Sequence, residues 1–127
     1  MKFRYSILYV ENVEEILAFY QKAFGFEIGF LHEGGDYGEL VTGDTKIAFS
    51  AKSLMRELGK TPGAASPDAP TFELAFESED VDGDFAKAVK AGAKPVSEPV
   101  DQPWGQRISY VADPNGFLIE ICSPVSG

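Results

Sequence analysis

Apolar residues recur along this chain with two periods, and the alternation between them outlines the fold. Phe3 to Tyr9 reads as a strand, closed by Val10 and the polar pair Glu11-Asn12. Asn12 is a good helix N-cap, and Glu15 three residues later completes a start resembling a capping box. Val13, Ile16, Leu17, Tyr20 and Phe24 then follow at helical spacing, with Gly25 as the stop. Phe26 to Leu31 and Tyr37 to Thr42 read as strands flanking a Glu33-Gly34-Gly35-Asp36 turn. Gly43-Asp44 signals a hairpin into a fourth strand, from about Thr45 to Ser50.

The same order then repeats. Thr71 to Phe76 predicts a strand, Ser78 or Asp80 caps a helix through Phe85 and Val89, and Gly92 ends it. Lys94 to Val100, Gln106 to Val111 and Phe117 to Cys122 complete the set. Between the copies, residues 51–70 break the pattern. Ser53 to Leu58 allows one or two helical turns, and Thr61 to Pro70 has the Pro, Gly and Ala content of a linker or lid. The expectation is one α+β domain over 1–127, with a βαβββ unit at 1–50, a linker or lid at 51–70 and a second βαβββ unit at 71–127. The units form curved mixed sheets around a concave pocket, with helices outside. Leu74 and Phe76 fall on one face of their strand, and Glu73, Ala75 and Glu77 on the other. Tyr37-Gly38 and Trp104-Gly105 are read as matching marks in the two units, pointing to a pocket between them.

Composition narrows the function classes. The 127 residues suit one domain, and 44% hydrophobic with 24% charged residues is ordinary for a globular protein. No apolar run is long enough to span a bilayer, and Met1-Lys2-Phe3-Arg4 leads into a strand rather than a signal peptide. The single cysteine, Cys122, excludes an internal disulfide and fits a reducing cytoplasm, so a cytoplasmic location is expected. A net charge of −9 argues against nucleic acid and anionic membranes as partners and mildly favours cationic ligands, although plain solubility is the weightier reading of it.

Three stretches carry a resemblance that covers nearly the whole chain. Tyr5-Ser6-Ile7-Leu8-Tyr9-Val10, the helix end Phe19-Tyr20-Gln21-Lys22-Ala23-Phe24-Gly25-Phe26 and Ala112-Asp113-Pro114-Asn115-Gly116-Phe117-Leu118-Ile119-Glu120 resemble the vicinal oxygen chelate superfamily. That superfamily holds glyoxalase I, extradiol dioxygenases, fosfomycin resistance enzymes and bleomycin resistance proteins. The resemblance is fairly specific for the superfamily and much less so for one activity. It implies metal ligands on the first and last strand of each unit, at positions held here by Tyr5, Ala48, Glu73 and Glu120. Only Glu120 keeps the usual ligand identity, and the chain's one histidine, His32, lies elsewhere. A tetrahedral zinc site needs about three nitrogen or sulfur protein ligands. No cofactor is therefore expected; a divalent metal on Glu73 and Glu120 would be weak, with an incomplete ligand set.

The remaining chemistry leaves alternatives open. Glu73 and Glu120 are candidates for a carboxyl pair sharing a proton, one acting as general acid or base, or else for groups facing solvent or pairing with Arg107. In bleomycin resistance proteins a Pro-Trp-Gly stretch, here Pro103-Trp104-Gly105, lines the drug groove. The ligand-contact set implied is Trp104, Arg107, Tyr5, Tyr37 and Phe49, against Trp104 packed beneath the linker. Tyr9 and Tyr110 are further hydroxyl candidates, and Cys122 reads as a packed small hydrophobe rather than a nucleophile. Gly34-Gly35 and Pro114-Asn115-Gly116 are turns and not phosphate loops, since neither opens a helix. The leading expectation is a protein that binds a small aromatic or cationic molecule without the usual metal site. The alternative is a metal-dependent or carboxylate-based glyoxalase-like lyase, isomerase or dioxygenase. A homodimer is expected from the resemblance and from the strand edges that pairing would cover.

Overall fold

The computed structural model describes residues 1–125. The chain divides into two compact units, Met1–Gly63 and Ala64–Gly127.

In the first unit the elements run β1 (Tyr5–Val10), α1 (Val13–Phe24), β2 (Glu27–Leu31), β3 (Tyr37–Val41), β4 (Lys46–Ala51) and α2 (Lys52–Glu57). The sheet order is β1-β4-β3-β2, with β1 parallel to β4 and the other pairs antiparallel. The α1 boundaries follow from local chemistry. Asn12 accepts a hydrogen bond from the Glu15 amide at 3.0 Å, and Gly25 takes the left-handed conformation, φ 79°, that ends the helix. One face of α1 buries Val13, Ile16, Leu17 and Tyr20 against the side of the sheet that carries Leu40 and Phe49. Gly38 permits this approach: a Cβ there would stand 2.6 Å from Leu17 Cδ1. Tyr5 and Ile7 keep parity with one another on the opposite face and remain about half exposed.

The second unit repeats the order with β5 (Glu73–Glu77), α3 (Val81–Lys90), β6 (Lys94–Asp101), β7 (Arg107–Ala112) and β8 (Leu118–Cys122). Its sheet order is β5-β8-β7-β6, again with one parallel pair, β5 with β8. Asp80 is the N-cap of α3 and accepts from the Gly83 amide at 3.1 Å, while the hydroxyl of Ser78 receives the Asp80 amide. Both expected capping residues are therefore used, in different roles. Ser109, Val111, Ile119 and Ile121 are buried on the side that α3 covers. Strand β6 carries Pro95 and Pro99 and two register shifts, features that blunt a sheet edge.

The described residues form an α+β fold of eight strands in two mixed four-stranded sheets, with three helices and no closed barrel. No helix among them is long and apolar enough to cross a membrane.

Candidate functional site

Each sheet has one face under a helix and one open face, and strand register assigns residues to them. In the second unit Glu73, Ala75 and Glu77 of β5 share the open side with Leu118, Glu120 and Cys122 of β8 and with Ile108, Tyr110 and Ala112 of β7. There the Tyr110 hydroxyl donates to Glu120 Oε2 at 2.9 Å, and Glu73 neighbours Glu120 on the same side of the β5–β8 pair. Desolvation on the sheet, then the side-chain interaction with Glu120 and its charge, push the Glu73 carboxyl above its ordinary value. Burial first, then the bond to Glu120 and the nearby charges, push the Tyr110 phenol up to about 12. Cys122 is 4% exposed, and burial with its contact to Glu120 pushes its thiol up to about 11, so it stays a protonated, packed side chain at neutral pH.

The folded chain holds the Glu73 proton more tightly than an unfolded chain does. The resulting stabilisation is complete below the ordinary glutamate value of 4.5 and is lost as pH rises through the raised value of Glu73. Glu120→Gln removes the neighbouring charge, so stability is expected to fall less steeply over that window. Urea-unfolding midpoints measured across pH test this; an unchanged slope would show that Glu120 does not set the Glu73 proton affinity.

The first unit carries a different cluster at the corresponding place. The Tyr37 hydroxyl donates to Glu39 Oε2 at 2.8 Å, and Lys46 Nζ lies 3.3 Å from Glu39 Oε1. Burial, the bond to Glu39 and its charge, and the proximity of Tyr5 hold the Tyr37 phenol well above the ordinary tyrosine range. Phe30 packs near Tyr37, with ring centroids 6.3 Å apart. The register relates the two units position by position. Tyr5 pairs with Lys46 as Glu73 pairs with Leu118, and Ile7 pairs with Ala48 as Ala75 pairs with Glu120. Glu39 faces Ala48 as Tyr110 faces Glu120. The carboxylate absent from the last strand of the first unit is thus supplied by its neighbour β3, where Lys46 neutralises it. Glu39 and Lys46 escaped the sequence reading, although Glu39 shares strand parity with Tyr37.

Other candidates lie elsewhere. Phe49 is not with the open-face aromatics: it pairs with Leu8 and Gly38 on the helix side and packs fully buried against Tyr20 at 5.0 Å. Arg107 also points to the helix side, where it bonds Asp82 at 2.9 Å and Asp101 at 3.0 Å and ties α3 to β6. It does not pair with Glu73 or Glu120. Trp104 lies in the turn before β7, 58% exposed, with Nε1 donating to Gln106 Oε1 at 2.8 Å. Tyr37 stands inside β3 at the place matching Ile108, so Tyr37 and Trp104 are not equivalent positions. The Tyr9 hydroxyl receives Lys60 Nζ at 3.0 Å.

Among the described residues no group of three or more His, Cys, Asp or Glu comes together to hold a metal ion. Ala48 has no donor atom, Glu73 and Glu120 supply oxygens only, and His32 Nδ1 sits 3.2 Å from Asp36 in the β2–β3 turn. These residues do not fit a tetrahedral site built on nitrogen and sulfur.

Comparison with known proteins places this arrangement. Residues 3–126 match the family model described as a glyoxalase-like domain. The protein YraH of Bacillus subtilis (strain 168) is 30% identical over 124 residues, covering 95% of this chain and 97% of YraH. Rv0887c of Mycobacterium tuberculosis (strain ATCC 25618 / H37Rv) is 31% identical, over 93% of this chain and 72% of its own. Among solved structures, a glyoxalase-related enzyme from Fulvimarina pelagi superposes with a TM-score of 0.84 at 20% identity, covering 98% of this chain and 88% of that one. TioX from Micromonospora sp. ML1 gives 0.73 at 21%, covering 97% and 98%. At these identities the structural likeness speaks for the fold alone. Sequence and fold agree, and the chain belongs to the glyoxalase-like domain family, within the vicinal oxygen chelate superfamily.

Proposed function

We propose that this protein binds a small cationic molecule bearing an aromatic ring, and does so without a resident metal. The observation that carries the reading is the Glu73–Glu120 carboxyl pair on an open sheet face, with Tyr110 bonded to it. None of the ion pairs found among the described residues reaches either carboxyl. A carboxyl pair that holds a proton is a half-discharged anion, and an incoming ammonium or guanidinium group that displaces the proton meets two carboxylates. An exposed aromatic face at Trp104, in the same unit, adds a surface for stacking and cation–π contact. The net charge of −9 acts in the same direction at long range.

Calorimetric titration with a planar aromatic ammonium compound, with and without chelator, tests the reading. Binding is expected to be indifferent to chelator and to tighten as pH rises through the raised value of Glu73, because the proton must leave. Glu120→Gln is expected to weaken it about tenfold or more, the effect of one charge-assisted hydrogen bond. Equal affinity in that variant, or binding only after metal is added, would overturn the proposal.

One observation favours a second reading. A carboxyl raised by burial and by a partner carboxylate is also the signature of a proton-transfer group, which suits a lyase, isomerase or dioxygenase of the glyoxalase-like branch. Turnover of a hemithioacetal or a catechol, abolished in Glu120→Gln, would put the enzyme ahead of the binder.

A further inference from the structure

The Asp113-Pro114-Asn115-Gly116 turn joins β7 to β8 and has no part in the site chemistry above, yet it contains a reactive dipeptide. An asparagine followed by glycine is open to attack on its own side chain, because no side chain hinders the next main-chain nitrogen. The Gly116 nitrogen loses its proton and bonds to Asn115 Cγ, and the side-chain amine leaves as ammonia. The cyclic imide that results is opened by water at either carbonyl, giving aspartate or isoaspartate.

The fold opposes this reaction at several points. The Gly116 amide donates to the Asp113 carbonyl at 2.9 Å, so the attacking nitrogen is engaged in the turn. Asp113 is 4% exposed, and its Oδ1 accepts from the amides of Asn115 at 2.8 Å and Phe117 at 3.0 Å. The Asp113 amide in turn donates to the Phe117 carbonyl at 3.0 Å. The segment at the start of the second unit lies over the turn: a Cβ on Gly116 would stand 2.5 Å from the Ala65 carbonyl oxygen. Ring closure needs Gly116 to leave the Asp113 carbonyl and swing toward the Asn115 side chain, under a backbone that leaves it little room.

We propose that Asn115–Gly116 is a latent deamidation site, held unreactive by the Asp113-anchored turn and the Ala65 backbone above it, and released when this turn opens. The isoaspartate product cannot restore the turn. Aspartate adds a negative charge beside Asp113, and isoaspartate adds a methylene to the main chain three residues from the Ala112–Leu118 pairing. That pairing sets the register that brings Tyr110 to Glu120, so the modification would record an opening event and loosen the open-face cluster.

Peptide mapping of the full chain, incubated at mildly alkaline pH with and without urea, tests this. Asn12, the other asparagine, precedes the branched Val13 and serves as the internal comparison. Conversion at Asn115 is expected to be at least about tenfold slower in the folded chain, as for a reaction that waits on local opening, and Asn12 is expected to lag in urea. Asp113→Ala should bring the folded rate toward the urea rate. Should that variant not fold, hydrogen exchange of the Gly116 amide in the unaltered chain gives an independent measure, and its protection should match the slowing of deamidation. Equal rates in folded and unfolded chains, an unprotected Gly116 amide, or faster conversion at Asn12 would overturn the proposal.

Discussion

Replacing Tyr20 by alanine is expected to cost about 3–5 kcal/mol of folding free energy, the range for deleting a large buried ring. Tyr20 is 0% exposed and is the centre of the aromatic core beneath α1. Its ring lies 5.0 Å from Phe49, 5.3 Å from Phe24 and 5.6 Å from Phe19, in tilted and edge-on arrangements. These neighbours belong to α1 and β4, so the cavity would fall where the helix grips the middle of the sheet and collapse is limited. A domain of this size has about 5–15 kcal/mol in total, so the loss is a large fraction of it. Chemical denaturation should show the midpoint falling well below that of Tyr20→Phe, which keeps the ring. A loss under about 1.5 kcal/mol, as for a volume-conserving swap, would mean that the core repacks and Tyr20 is not its keystone.

Gly116→Ala is the second large effect, expected at roughly 2–3 kcal/mol from backbone strain and forced displacement. Gly116 has φ 92°, where an L side chain is strained, and the added Cβ would meet the Ala65 carbonyl oxygen at 2.5 Å. The obstacle is main chain and not the flexible end of a side chain, so residues 64–67 would have to move. Thermal unfolding should register a drop of several degrees. Limited proteolysis should cut the variant first within residues 64–70. A variant as stable and resistant as the parent would show that the segment yields without cost.

Elements defined by local chemistry were readable from residues alone. Asn12 and Gly25 bracket α1, Asp80 starts α3, and the Gly43-Asp44 hairpin falls where the turn residues put it, with Gly43 at φ 100°. Edge strand β5 sets the large apolar Leu74 and Phe76 on one face and Glu73, Ala75 and Glu77 on the other, so the open side of Glu73 was legible too. Central strand β4 offered no such guide: Ala48, Phe49, Ser50 and Ala51 are all buried, and the parity of Phe49 is lost among them. Arg107 went astray because its partner Asp82 is distant in sequence and meets it only once α3 lies on the sheet. The Glu39–Lys46 contact was hidden because it depends on the pairing of β3 with β4.

The position-by-position correspondence of the two sheets bears on how the chain could diversify. Two identical subunits inherit every change twice, so their open faces must stay alike. Here each copy is written separately in one chain, and a change in one leaves the other intact. The scaffold positions occupied by Tyr5, Lys46, Ala48 and Glu39 in one copy hold Glu73, Leu118, Glu120 and Tyr110 in the other. One open-face cluster is internally neutral and the other acidic, a division of labour open to a tandem gene and closed to a symmetric pair.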